Sequence, residues 1–350
     1  QLLTSSHDQA IILSGESGAG KTEAGKLALG YLAAASVDAT RAHGSGGDGG
    51  GLGAVQRIAQ SLTESNVLLE AFGNAKTLHN ENSSRFGKYI ELRVSPGGQI
   101  GSASLTTYLL ETVRVARPQE GEANYHAFYM LLGAACCGQL EQLPPPTHGS
   151  PSDDVPPSVA RHFGLLAPSA RRAYVRGWDA TSEPEQVARA ASSFTSLCDA
   201  LGKIGVPPAA VSHLMRLLAA VLWMGDVRFE HTGEAAGEAA GAAQVAKRAA
   251  GGLGGDAYCR VVRQGAAEGG VESSDEPAID VAARLLCLPP AALEAALTTR
   301  RTVLAVHEEA ISIPLRAVEA EDARDALAAA IYGGLFDWLV GQVNVACEAG

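Results

Sequence analysis

Apolar residues recur along the chain with different spacings, and each spacing predicts a different kind of element. A short apolar run at residues 10–14, followed directly by a glycine-rich loop, is typical of a buried parallel strand. Two further strands are predicted at residues 86–94 and 99–109. The Ser-Pro-Gly-Gly sequence between them, residues 95–98, supplies glycine where a turn needs positive φ, so the pair is predicted to form a hairpin.

Helical spacing dominates the rest of the chain. Stretches rich in glycine, proline or alanine interrupt it: 44–53 is predicted to be a flexible surface loop, 143–157 holds six prolines and is predicted to be irregular, and the conformation of 233–255 is left open. Eight helices are predicted, at residues 23–35, 55–72, 124–135, 194–202, 211–224, 278–286, 290–297 and 317–342.

Composition indicates a globular protein, since 350 residues with 46% apolar content can bury a substantial core in one large domain or two. A net charge of −11 argues against a nucleic-acid-binding surface. Six scattered cysteines without a Cys-x-x-Cys spacing argue against a zinc site or a disulfide framework.

We find no apolar run near 18 residues and no leader, so no membrane span is expected and the cytoplasm is the default location. The chain opens on Gln1 and not on Met, and we treat it as a piece of a longer protein.

A phosphate-binding motif lies between the first predicted strand and the first predicted helix, which is the context that its mechanism requires. Its glycines let backbone N–H groups surround phosphates at the positive end of the helix. Lys21 is expected to reach the β- and γ-phosphates, and the Thr22 hydroxyl to bind Mg²⁺. The motif alone does not choose among kinases, GTPases, transporters and motors. We call residues 15–22 the phosphate loop; it consists of Gly15, Glu16, Ser17, Gly18, Ala19, Gly20, Lys21 and Thr22.

A second concentration of polar side chains, residues 80–88, stands immediately before the predicted hairpin. We call it the polar segment. Asparagine and serine are ordinary turn and cap residues, so on physical grounds a polar turn and a ligand-facing loop are equally good interpretations.

The order of several motifs resembles the myosin motor head. The phosphate loop is similar to that of myosins, and residues 66–88 are similar to the myosin switch I segment. A kinesin would carry Ser-His where Phe86-Gly87 stand, and a GTPase would need Asn-Lys-x-Asp for guanine. The resemblance covers essentially the whole chain and stops before switch II. It continues at residues 107–111, 124–129, 218–226, 324–328 and 331–340.

The resemblance implies an α/β fold: a P-loop NTPase core with a central, mostly parallel sheet flanked by helices in residues 1–135, and a largely helical upper, actin-side subdomain in residues 136–350. It implies an actin-based motor that hydrolyses ATP with Mg²⁺ and works in the cytoplasm on the actin cytoskeleton. Light chains would bind outside this chain. The isolated chain is expected to be inactive, because switch II and half of the actin-binding cleft are not in it.

The same resemblance assigns roles within the polar segment. Asn80 and Ser83 would contact the outer phosphates or the attacking water, and Ser84 would supply a second Mg²⁺ ligand. Arg85 would form a salt bridge to a switch II glutamate, so within this chain we expect it to have no partner. Lys21, Asn80, Ser83 and Arg85 are therefore the predicted catalytic residues.

Some positions depart from the family's pattern or leave its function open. His79 and Glu81 replace residues that are more often Arg and Asn, which would weaken the positive potential beside the phosphates. Glu309 falls where myosins carry an acidic or phosphorylatable residue in a loop that contacts actin, and its alternative interpretation is an ordinary exposed acid.

The competing function is a myosin-like head that binds nucleotide or actin without productive turnover; a P-loop kinase or GTPase ranks last.

Overall fold

The structure is a computed structural model that describes residues 7–43, 50–145, 159–165, 172–178, 180–181, 183–232, 258–263, 276–303 and 310–348. Helices account for most of the described part. The helices are α1 (Lys21–His43), α2 (Gly50–Gly73), α3 (His126–Cys136), α4 (Val159–His162), α5 (Pro184–Lys203), α6 (Pro208–Asp226), α7 (Ala278–Leu285), α8 (Pro290–Thr298) and α9 (Ala317–Cys347). The strands are β1 (Asn74–Ala75), β2 (Ser83–Ser84), β3 (Gly87–Val94), β4 (Ile100–Tyr108), β5 (Phe229–Thr232), β6 (Tyr258–Val261), β7 (Thr299–Val303) and β8 (Ala310–Pro314).

The strands pair in sequence order into two-stranded antiparallel sheets: β1 with β2, β3 with β4, β5 with β6, and β7 with β8. The β3–β4 pair is the predicted hairpin, and Gly98 in its turn has φ +83°, the conformation for which glycine was expected. The outer edge of β4 is covered by side chains. Ile100 N–H donates to Ser36 Oγ at 2.7 Å, and the Asn344 amide bonds to the backbone of Leu105.

The predicted buried strand at residues 10–14 is wrong for the chain as the structure describes it. The segment is irregular, and Ile11, Ile12 and Leu13 are 68%, 86% and 45% exposed. A parallel strand is stable only when neighbours satisfy its backbone groups, and the described residues place no strand beside it. The described sheets are all antiparallel, so a central parallel sheet is not observed.

All eight predicted helices are present, most of them longer than predicted. The helix predicted at 194–202 begins at Pro184, with proline in its first turn, and the one predicted at 317–342 continues to Cys347. Helix α2 begins at Gly50, so residues 50–53 of the predicted glycine-rich loop are helical. One contiguous apolar core joins α2, α3, α5, α6 and α9, with Phe72, Phe128 and Leu218 among its fully buried members.

In the part of the chain that the structure describes, two helices, α6 and α9, are long and apolar enough to cross a membrane, judged only by length and composition. This differs from the expectation that the chain has no such stretch. Most of the apolar window of α6 is buried inside the protein, and α9 buries Tyr332, Phe336 and Leu339. A helix that is apolar nearly all round is typical of a protein core, and α6 has that position here.

Three predictions concern residues outside the described part: the core of the loop at 44–49, most of the proline-rich connection, and the insertion at 233–255. Glu309 also lies outside it. The loop predicted at residues 303–315 is in part strand, because β7 and β8 pair with Thr299 opposite Pro314 and Val303 opposite Ala310.

Candidate functional site

The phosphate loop turns directly into α1, which begins at Lys21. Gly18 and Gly20 have φ of +82° and +83°, a backbone conformation that favours glycine. Ala19 N–H donates to Glu16 O at 3.2 Å, and Ala24 N–H to Gly20 O at 2.9 Å, so a turn leads into the first helical turn. The loop thus presents backbone N–H groups at a helix amino end, the arrangement that binds phosphate in proteins of this class.

Lys21 folds back over its own loop. Its Nζ donates to Gly15 O at 2.5 Å and to Glu16 O at 2.6 Å. An ammonium group has three protons, so two are held by loop carbonyls in this state. Both partners are neutral acceptors, and an anionic phosphate would be a stronger acceptor for the same charge.

The polar segment reaches the phosphate loop. Ser17 Oγ and Ser83 Oγ lie 3.2 Å apart, and Ser83 is buried. Asn80 is also adjacent, because a Cβ added at Gly18 would lie 4.0 Å from Asn80 Nδ2. The structure therefore brings together two loops that are more than sixty residues apart in sequence, and the ligand-facing interpretation of the polar segment gains geometric support.

Asn80 is held by its own turn. Its backbone carbonyl accepts from Thr77 N–H at 2.8 Å, and its Oδ1 accepts from Asn82 N–H at 2.9 Å. An open cavity of about 370 Å³ lies at this turn and is lined by residues 76–81 and Gly121. The cavity adjoins the phosphate loop through Asn80 but is not lined by it. The cavity by itself is therefore not the predicted phosphate site.

Arg85 has a partner, which corrects the expectation that it would have none within this chain. Its Nε donates to Glu111 Oε2 at 2.6 Å, and Glu111 N–H donates to Arg85 O at 3.0 Å. Burial alone would raise the pKa of Glu111, but hydrogen bonds from Arg114 and Arg85 outweigh it and hold that pKa below its ordinary value. The register of the β3–β4 hairpin could have indicated the pairing of Arg85 with Glu111. Tyr108 faces Gly87, so a residue just after β4 comes beside Arg85.

A second polar cluster holds the polar segment through Asn82. Asn82 Oδ1 lies 3.1 Å from His126 Nε2 and accepts from Asn74 Nδ2 at 2.9 Å, while Asn82 Nδ2 donates to Glu70 at 3.3 Å. Glu70 also pairs with Lys26 of α1 at 2.6 Å. Burial lowers the pKa of His126, although Glu70 and Glu81 oppose the shift, so the neutral imidazole is favoured. Glu81 itself is exposed and pairs with Lys76 at 2.8 Å.

The two predicted Mg²⁺ ligands occupy the two loops. Thr22 lies in the first turn of α1 and Ser84 ends β2, directly after the Ser83 that contacts Ser17. The described residues hold no group of three or more His, Cys, Asp or Glu that could bind a metal without help. Hydroxyl ligands of this kind suit a Mg²⁺ ion that takes its other ligands from phosphates and water.

A glycine-rich loop that opens a helix, with a second polar loop against it, is typical of the P-loop class of proteins. The chain matches the myosin head (motor domain) family over residues 1–350. It therefore belongs to the myosin head family, and the resemblance inferred from its motifs is confirmed. The family has a P-loop NTPase-type motor fold.

Individual myosins match nearly the whole chain at about one residue in three. Unconventional myosin-Ia of Gallus gallus is 33% identical over 97% of the chain, which spans 26% of that protein. Myosin-I heavy chain of Dictyostelium discoideum is 33% identical over 96% of the chain, and the match spans 11% of that myosin. Myosin-3 of Arabidopsis thaliana is 34% identical over 98% of the chain, and the match spans 23% of that myosin. The chain thus spans about a quarter or less of these relatives.

Proposed function

We propose that this chain is the ATP-binding part of an actin-based myosin motor, which couples hydrolysis of ATP to movement along actin filaments. The observation that carries the proposal is the contact between the phosphate loop and the polar segment, with Ser17 and Ser83 hydroxyls 3.2 Å apart and Asn80 beside Gly18. Phosphoryl transfer depends mainly on positioning and on charge stabilisation around the transferred group. Two polar loops that close on one another provide both.

The position of Ser83 and Asn80 beside the phosphate loop supports their roles, and the other roles follow from the family resemblance. The backbone of residues 15–20 surrounds the phosphates of ATP, and Lys21 exchanges its two carbonyl partners for phosphate oxygens. Asn80 and Ser83 orient the outer phosphates or the attacking water. Thr22 and Ser84 hold Mg²⁺, which supplies positive charge to the phosphates when bound. Arg85 would close the site behind the γ-phosphate through a salt bridge to a switch II glutamate.

The fold that we propose for the complete protein is larger than the described part of this chain. Residues 10–14, now exposed, would pair with strands from outside these 350 residues to complete a central, mostly parallel sheet. Residues 1–135 would form the nucleotide core of that fold, and residues 136–350 its helical actin-side subdomain. The exposure of Ile11 and Ile12 supports this, because apolar runs of this kind are buried in finished parallel sheets.

Actin filaments are the proposed partner, and the actin cytoskeleton in the cytoplasm is the proposed location. Relatives of the chain carry the name myosin, and Glu309 would contact actin without a need for phosphorylation there. Replacing Glu309 with alanine in the complete protein should reduce actin-stimulated ATP hydrolysis. Light chains would bind elsewhere in the protein.

The test is ATP hydrolysis by the complete protein, with and without actin filaments, for the natural sequence and for Lys21→Ala. Loss of one preorganised charge donor should lower the rate by about 100-fold or more. Lys203→Ala is the matched control, since Lys203 is an exposed lysine that pairs with Glu64 at 2.8 Å, far from the loop in sequence. A Lys21→Ala protein as active as the control would refute the assigned site, and hydrolysis that actin does not stimulate would refute the motor.

A further inference from the structure

Glu111 lies between two arginines. Its Oε2 accepts from Arg85 Nε at 2.6 Å and from Arg114 Nε at 2.9 Å. Its backbone is fixed as well, because its N–H donates to Arg85 O at 3.0 Å and its carbonyl accepts from the Tyr125 hydroxyl at 2.8 Å. The carboxylate of Glu111 therefore has little freedom to turn away from Arg85.

Arg114 anchors this carboxylate from the far side. Its side chain is 1% exposed and also donates to Glu122 Oε2 at 2.7 Å and to Ala123 O at 3.0 Å. A buried arginine with two acids and a carbonyl around it is costly to displace, because an unpaired charge would remain in the interior. The Arg114 end of the cluster is thus the fixed end.

Arg85 is the end that faces the proposed active site. Its Nη1 lies 3.5 Å from Ser83 Oγ, which in turn is 3.2 Å from Ser17 Oγ in the phosphate loop. Among the described residues, the hydrogen bonds of Arg85 use Nε and Nη1. Glu111 therefore holds the guanidinium at Nε, while Nη1 reaches toward Ser83 Oγ.

We propose that Glu111 is a positioning residue for ATP hydrolysis: it orients the Arg85 guanidinium, and through Arg85 it fixes Ser83 against the phosphate loop. The inference rests on the proposed function, since Arg85 matters to turnover only if this site hydrolyses ATP. Among the described residues, the side-chain hydrogen bonds of Glu111 are with Arg85 and Arg114. Its effect should therefore appear in the hydrolysis step and not in nucleotide affinity.

Glu122 offers a matched control. Both acids pair with the buried Arg114, but the contacts of Glu122 in the cluster are with Arg114 and those of Glu111 include Arg85. Glu111→Gln and Glu122→Gln remove one negative charge each from Arg114 at almost constant shape. Both variants should lower the melting temperature. Only Glu111→Gln should release Arg85.

The experiment compares the two variants in the complete protein by two measurements. In steady-state hydrolysis, Glu111→Gln should lower kcat by about 10- to 100-fold, the loss expected when a catalytic group is held slightly out of place. Its KM for ATP should stay within about threefold, while Glu122→Gln should keep both constants within about twofold. In hydrogen exchange without nucleotide, amides of residues 80–85 should exchange faster in Glu111→Gln than in Glu122→Gln.

The outcomes separate this inference from the proposed function. If the natural sequence hydrolyses ATP and the two variants lose kcat equally, Glu111 only supports Arg114 and the positioning role is refuted. A change confined to KM would refute it too. If the natural protein does not hydrolyse ATP at all, the proposed function fails and the role of Glu111 in hydrolysis fails with it; unequal exchange of residues 80–85 would then remain as evidence of the contact alone.

Discussion

Asn344 of α9 replaces a missing neighbouring strand at the edge of β4, and its removal gives a sharp test of the fold. Its Oδ1 accepts from Leu105 N–H at 2.7 Å, and its Nδ2 donates to Leu105 O at 2.9 Å. Leu105 is 3% exposed, so both backbone groups lie where bulk water does not reach them freely. Asn344→Ala deletes both partners at once.

The cost follows from the two groups left behind. A buried backbone group without a partner costs about 1–3 kcal/mol, which sets an upper range of about 2–6 kcal/mol for the pair. An open cavity of about 300 Å³, large enough for water, lies beside Asn344 and is lined by Arg93 and Ser104 among others. Water can therefore recover part of the loss. We expect a local destabilisation of about 2 kcal/mol, which is about 30-fold in the opening equilibrium.

Hydrogen exchange at the Leu105 amide of the complete protein measures this directly, because exchange reports the local opening free energy. Asn344→Ala should lower the protection of this amide by about 30-fold. Asn344→Asp keeps the acceptor but loses the donor, so its protection should lie between that of the natural sequence and that of Asn344→Ala. Val345→Ala is the control in the same helical turn, since Val345 is 67% exposed. Unchanged protection at Leu105 in Asn344→Ala would refute the claim that this amide completes the sheet edge.

Two further predictions concern buried groups near the polar segment. Tyr332→Phe should lower the free energy of unfolding by about 1–3 kcal/mol in urea titrations, because the Phe72 carbonyl at the end of α2 loses the Tyr332 hydroxyl that donates to it at 2.8 Å; an unchanged midpoint would contradict this. His126 has a folded-state pKa below its ordinary 6.5, so the unfolded chain binds its proton first and stability is lost as pH falls below about 6.5. His126→Gln should therefore lose less stability than the natural sequence between pH 7 and pH 5.5, and equal losses would refute the assignment.

Helices and the hairpin were predictable because their patterns are local. The apolar positions of α6 and α9 recur within the element itself, and residues 95–98 contain the glycines that the turn needs. The strand at residues 10–14 was not predictable in the same way. Its apolar pattern is real, but a parallel strand depends on neighbours, and the described residues supply none.

The candidate site also has local features that the sequence predicts and long-range contacts that it does not. The phosphate loop could be found from a contiguous motif, and its glycines with positive φ occur where the motif has them. The contact between Ser17 and Ser83 and the pairing of Arg85 with Glu111 could not, because each joins residues that only the folded chain brings together. Glu111 was within reach of sequence reasoning only through the register of the β3–β4 hairpin.

Helix α9 fixes the chain before the polar segment and again near the end of the segment. Before the segment, the Tyr332 hydroxyl bonds to Phe72 O at the end of α2, and the two rings stack with centroids 6.1 Å apart. Within the segment, near its end, the Phe86 ring packs edge-on against Phe336 at 5.1 Å. Arg85 N–H also donates to Gly73 O at 2.8 Å, which ties the two ends to each other. Any displacement of the segment toward a ligand is therefore confined to the residues between these anchors, while a shift of α9 along its axis would move both anchors together. A rigid helix that holds both ends of a ligand-facing loop can carry a change at that loop into the rest of the core.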